Sequence, residues 1–131
     1  MRVLRGDDRG SSPVEFVLVG TMLTALTLAV LQLALAVYVR NVVHDAAIEG
    51  AHHAALADVA PEEGAIRARQ VIAQTIGSAY ADDVSAARVE ESGRDVVVVR
   101  IRTALPVIGL IGIPSAMHVD AEAPAESFDE R

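Results

Sequence analysis

From Phe16 to Val39 the chain carries no charged side chain, and its notable polar positions there are Thr21, Thr24, Thr27 and Gln32. At about 1.5 Å per residue such a run makes a helix roughly 36 Å long, enough to cross a hydrocarbon core of about 30 Å with some tilt. A bilayer core has no water to pair with peptide groups, so a lone span is expected as helix. Past Val39 the pattern changes but the period does not. Val42, Ala46, Gly50 and Ala54 recur every four residues, and Val43, Ala47, Ala51 and Ala55 form the adjacent row. One long helix is therefore expected over 11–57, with its membrane span at 16–39. The small side chains of the stripe allow close approach by whatever packs there. An intramolecular seam against the chain's own second helix or sheet is the first expectation, and packing between subunits is the second.

Asp58 to Gly64 reads as a break, in which Pro61-Glu62-Glu63 also suits the first turn of a new helix. The apolar residues Ile66, Ile72, Ala73, Ile76, Ala79 and Tyr80 predict one buried face through Tyr80, leaving Arg67, Arg69, Gln70 and Gln74 to solvent. Asp82-Asp83 closes that element. From Ser85 the period becomes two. Strands are expected at 87–91 and 95–104, joined by a Gly-containing turn at Ser92-Gly93-Arg94, and at 116–123. Val97, Val99 and Ile101 share one face, with Arg100 and Arg102 on the other, where antiparallel pairing is expected to oppose them to Asp120 and Glu122. The fold class read from this pattern is α+β: a long N-terminal transmembrane helix continuing into a small domain, 58–123, with a second helix and a three-stranded antiparallel sheet.

Two segments stand apart. Pro106 to Pro114 is an apolar connection too short to cross a bilayer as helix, and connections are normally polar. It is expected to tuck under the sheet as core or, failing that, to rest on the membrane or a partner subunit. Residues 124–131 are acidic, lack periodicity and read as a disordered tail.

Composition narrows the function. The chain has 131 residues and a net charge of −7, and every basic residue is Arg, so nothing offers the basic patch that nucleic acid requires. Only Phe16, Tyr38, Tyr80 and Phe128 are aromatic, which predicts a lightly built core. The absence of Cys excludes disulfides and thiolate chemistry. No phosphate-cradling loop or catalytic triad is legible, so a structural subunit without cofactor is expected rather than an enzyme. Asp45, Glu49, His52 and His53 share one face of the long helix, a conceivable metal site whose default reading is a solvated polar face. Arg2, Arg5 and Arg9 precede the span, while Arg40 alone follows it closely, which predicts an N-terminus inside and residues 41 onward outside.

The junction before the span has two readings. In one, Ser12 caps the helix, Pro13 takes its first position and Glu15 completes a capping box. In the other, Gly10-Ser11 is a cleavage site whose small residues leave the backbone open to a protease. Ser11 then becomes the N-terminus, and Glu15 and Phe16 lie at the rim of the apolar helix. A carboxylate there needs a positive partner, which a neighbouring subunit's new α-amino group would supply. Secretory cleavage after Ala34-Leu35-Ala36 is disfavoured, because the apolar run ahead of it exceeds the roughly 7–15 residues of a signal peptide.

Gly10 followed by Glu15-Phe16 and an uninterrupted apolar helix resembles the class III prepilin signature of the tight-adherence (Tad/Flp) pilus system. Arg40-Asn41 and the run Asp45 to Ala55, with its Ala-Ala-x-Glu-Gly-Ala pattern, are similar to the segment following the span in TadE-like pseudopilins. The resemblance covers roughly residues 9 to 57. Where the family often carries a proline early in the span, this chain has Gly20-Thr21. The resemblance implies a minor pseudopilin of the cytoplasmic membrane. It implies cleavage between Gly10 and Ser11 by a prepilin peptidase, with Glu15 and Phe16 serving assembly and processing. Val42, Ala46, Ala47, Gly50, Ala51 and Ala54 are the expected helix-packing positions. Its implied partners are membrane lipid, other pilins or pseudopilins and the pilus assembly machinery. The alternative is an uncleaved single-span anchor displaying a small protein-binding domain.

Overall fold

The computed structural model describes residues 11–108 and 111–126, with side-chain environments over 12–106 and 116–126. Helix α1 runs Ser11–Ala55, α2 runs Pro61–Thr75, and a single 3-10 turn follows at Ser78–Tyr80. Strands β1 (Asp83–Glu91), β2 (Arg94–Ile108) and β3 (Ile111–Pro124) form an antiparallel sheet in the order β1-β2-β3. The architecture is the expected α+β one.

Helix α1 is continuous through Gly20-Thr21. At about 1.5 Å per residue its length is near 67 Å, far more than the small domain requires. Ser12 lies within the described helix rather than ahead of it, so the capping geometry expected for Ser12 and Glu15 is not adopted. Residues 1–10, including the leader and Gly10, lie outside the described residues.

Helix α1 changes character along its length. From Val14 to Leu31 its large apolar residues are exposed, Phe16 at 80%. From Val39, at 2%, it becomes the central element of the domain: Val43, Ala46, Ala47, Gly50, Ala51, Ala54 and Ala55 are all buried and Val42 half-buried. The second half of α1 forms one core with α2 and the sheet.

Helix α2 differs from the expectation in length and in face. It ends at Thr75, where the amides of Ile76 and Gly77 both donate to the Ile72 carbonyl (2.9 and 3.2 Å) and Gly77 takes a φ of 111°. That conformation is open to glycine and strained for other residues, which stops the helix before Tyr80. The buried face is Gly64, Ala65, Ala68 and Ile72, whereas Ile66, Ala73 and Ala79 are exposed. The reason is packing distance: a Cβ placed on Gly50 would lie 2.5 Å from the Gly64 carbonyl oxygen, so only minimal side chains fit between α1 and α2.

The sheet lays Val84, Val97, Val99, Ile101, Met117, Val119, Ala121 and Ala123 against the helices. Fully burying side chains such as Ile72 and Ile101 stabilises by about 1.5–3 kcal/mol each. The remaining core is mostly alanine and valine, so the domain gains from close backbone approach rather than from bulk. Ser92 and Gly93 both have positive φ (54° and 76°), the arrangement of a two-residue hairpin turn matching strand twist.

Three details correct the sequence reading. In the observed register Arg100 opposes Asp120, but Arg102 opposes His118 and Glu122 opposes Val98, because antiparallel partners move in opposite directions along the chain. The apolar stretch expected as a connection is paired strand instead: Leu105 faces Ile113, Pro106 faces Gly112 and Ile108 faces Ile111, with register shifts after Thr103 and Pro106. The expectation that it packs under the sheet concerns side chains 107–115, which lie outside those described. Residues 124–126 are not a free tail, since the Ala125 amide donates to Asp95 O and the Glu126 amide to Ala55 O, both at 2.8 Å. Residues 127–131 lie outside the described residues.

Candidate functional site: the two halves of the long helix

The first half of α1 is a surface with little to pack on inside the chain. Its threonines are adapted to an environment without water: Thr21, Thr24 and Thr27 donate their hydroxyls to the carbonyls of Val17, Gly20 and Leu23 at 2.7–2.8 Å. Each hydroxyl is satisfied by the preceding turn, which removes the cost of placing a bare donor in hydrocarbon. Ser11 is the first described helical residue. Glu15 and Phe16 are both exposed and lie one turn further on, and no cation contacts Glu15 among the described residues. A carboxylate so placed beside an apolar helix is open to a partner outside the chain.

The second half is already occupied. Of the positions expected to pack helices, Ala46, Ala47, Gly50, Ala51 and Ala54 lie in the seam with α2 and the sheet, and Val42 is half-buried. They meet the chain itself, so in this fold they offer no surface to a second subunit. The polar face opposite them is also partly used. Glu49 Oε1 accepts from Arg67 Nε at 2.8 Å and Nη2 at 2.5 Å, and His53 Nε2 lies 3.8 Å from Glu63 Oε2. Among the described residues no three His, Cys, Asp or Glu side chains gather as metal ligands. Asp45 and His52 are exposed and take no part in either pair.

Sequence reasoning passed over the cleft where α1 ends. Glu49, His53, Glu63, Arg67 and Glu126 line it together with Leu56. Its signal was the Arg67–Glu49 pairing, eighteen residues apart and visible only once Gly50 and Gly64 are known to touch. The pairs are exposed, and each contributes about 0–1 kcal/mol.

A long apolar helix, exposed along its first half and anchoring an α+β domain with its second, fits a single-pass membrane protein. Residues 10–52 match the family model for TadE-like protein, in agreement with the resemblance carried by Gly10, Glu15-Phe16 and the Asp45–Ala55 segment. The matched segment stops short of α2 and the sheet. No curated protein and no solved structure matches the chain.

Proposed function

We propose that this chain is a minor pseudopilin taking part in Tad-type pilus assembly, a structural subunit rather than an enzyme. A prepilin peptidase cuts it between Gly10 and Ser11. The carrying observation is that the family match begins at Gly10, just ahead of a helix that is exposed from Ser12 to Leu31 and uncharged except for Glu15 as far as Val39. In this reading Arg2, Arg5 and Arg9 hold the leader in the cytoplasm, the 16–39 segment crosses the membrane and the α+β domain stands outside. Cutting exposes the Ser11 α-amino group. Glu15 of one subunit then pairs with the free amine of a neighbour, a match worth most where water is scarce. Other pilins or pseudopilins meet the exposed first half of α1, because the second half is already filled from within.

The test is the intact mass of the protein purified from its own membranes, beside a Gly10→Leu variant. A native species beginning at Ser11, lost in the variant, supports the proposal. Full-length mass in both overturns it and favours an uncleaved anchor displaying the domain.

A further inference from the structure

The cleft at the end of α1 sets two large apolar side chains beside a charged rim. Leu56 and Ile66 line it at 45% and 49% exposure, next to the Glu49–Arg67 and His53–Glu63 pairs. Leu56 follows the last residue of α1 and Ile66 belongs to α2, while Pro124, Ala125 and Glu126 at the end of β3 form a third wall. The cleft measures about 1130 Å³, above the roughly 300–1,000 Å³ of ordinary small-molecule pockets. Its arginine, Arg67, is already held by Glu49. The space therefore suits a length of chain better than a small anion.

The protein delivers a length of chain to this opening. The Ala125 amide donates to Asp95 O and the Glu126 amide to Ala55 O, both at 2.8 Å, which pins residues 125 and 126 across the end of α1. Ala55, whose carbonyl receives Glu126, is the neighbour of Leu56. Ser127-Phe128-Asp129-Glu130-Arg131 continue from there and lie outside the described residues. Two extended residues span about 7 Å at most, so Phe128 stays within that distance of Glu126. Residues two apart in an extended chain share a side, and for Glu126 that side is the cleft. A tether this short gives the ring a local concentration on the order of millimolar, which an untethered partner has to exceed. An aromatic side chain gains by burying about 150–250 Å² of surface, and Leu56 and Ile66 are the exposed apolar side chains of the cleft beside its tether.

We propose that the segment from Ser127 folds back into the cleft, with the Phe128 ring on Leu56 and Ile66. The occupant of the cleft is the chain's own tail, which straps α1, α2 and β3 together at the end of the domain remote from the apolar half of α1. This strap does not depend on cleavage at Gly10 or on a place in a pilus.

The chain has no Trp, so Phe128→Trp supplies a single emitter. The full-length variant in phosphatidylcholine vesicles is expected to emit to the blue of a water-exposed indole, at a wavelength independent of its density in the lipid. Adding Leu56→Ser and Ile66→Ser is expected to return the emission to the water value and to raise its quenching by acrylamide several-fold. Water-like emission before those substitutions overturns the proposal. Blue emission that the two serines leave unchanged overturns it as well, since the indole then lies away from the cleft. Blue emission lost on dilution in lipid overturns it in favour of a second copy's tail. A second measurement keeps the natural ring: Phe128→Ala and Leu56→Ala are each expected to lower the urea midpoint of the full chain, and together to lower it by less than the sum of the two. Strict additivity overturns the contact.

Discussion

Gly50 and Gly64 hold each other's backbone: a Cβ on Gly50 would stand 2.5 Å from the Gly64 carbonyl oxygen, and one on Gly64 would stand 2.6 Å from the Gly50 carbonyl oxygen. The α-hydrogens pointing along those directions meet carbonyls, a weak contact that helices make only when no side chain separates them. Ala54 and Ala68 flank the crossing at similarly short range. This crossing fixes where α2 lies on α1 and, through it, where the sheet can pack.

Gly50→Ala and Gly64→Ala are each predicted to destabilise the domain by about 1–3 kcal/mol, because the obstructing atom is backbone and cannot rotate away. Gly20→Ala, with nothing within 4 Å of the new methyl, leaves domain stability unchanged. Pulse proteolysis in urea on the full chain in detergent measures all three.

Thr103 offers the opposite case. It is 5% exposed, and its hydroxyl has no hydrogen-bond partner among the described residues, at the point where the β2–β3 register first shifts. Thr103→Val keeps the shape and removes the unsatisfied group, so it is predicted to stabilise the domain by about 1–3 kcal/mol. A lower urea midpoint for the variant would contradict this account of the site.

The turn at Ser92-Gly93 places both residues at positive φ. Ser92→Asn is predicted to stabilise by a few tenths of a kcal/mol, since asparagine tolerates that conformation better, whereas Gly93→Val destabilises by about 1–2 kcal/mol. Comparing urea midpoints of the two variants against the parent checks both signs.

Much of this fold was legible because α1 and the sheet announce themselves by period. The uncharged run to Val39, the four-residue recurrence from Val42 to Ala54 and the alternation of Val97, Val99 and Ile101 each reflect one buried face. Helix α2 was misread at both levels. Ile66 and Ala73 look like core by size, yet the crossing admits only Gly64 and Ala68, and distance between backbones is not written in hydrophobicity. Its end was signalled by Gly77 right after Ile76, a stop that the apolar pattern continuing to Tyr80 concealed. The stretch 106–114 failed for a different reason: two prolines and two glycines suggest a loop, but pairing across Leu105–Ile113 and Pro106–Gly112 tolerates them through register shifts. Glu15 and Phe16, singled out by their place at the rim of the apolar run, stand exposed, while the cleft at the end of α1 needed tertiary contact to appear.

The account turns on α1 dividing near Val39 into a membrane-crossing half and a half that builds a domain outside. Thiol labelling of full-length Met22→Cys and Ile48→Cys proteins in sealed right-side-out vesicles, with a membrane-impermeant maleimide, tests it most directly. The predicted result is labelling of Ile48→Cys without detergent and of Met22→Cys only after detergent. Labelling of Ile48→Cys only after the vesicles are opened, or of Met22→Cys in intact ones, would contradict it.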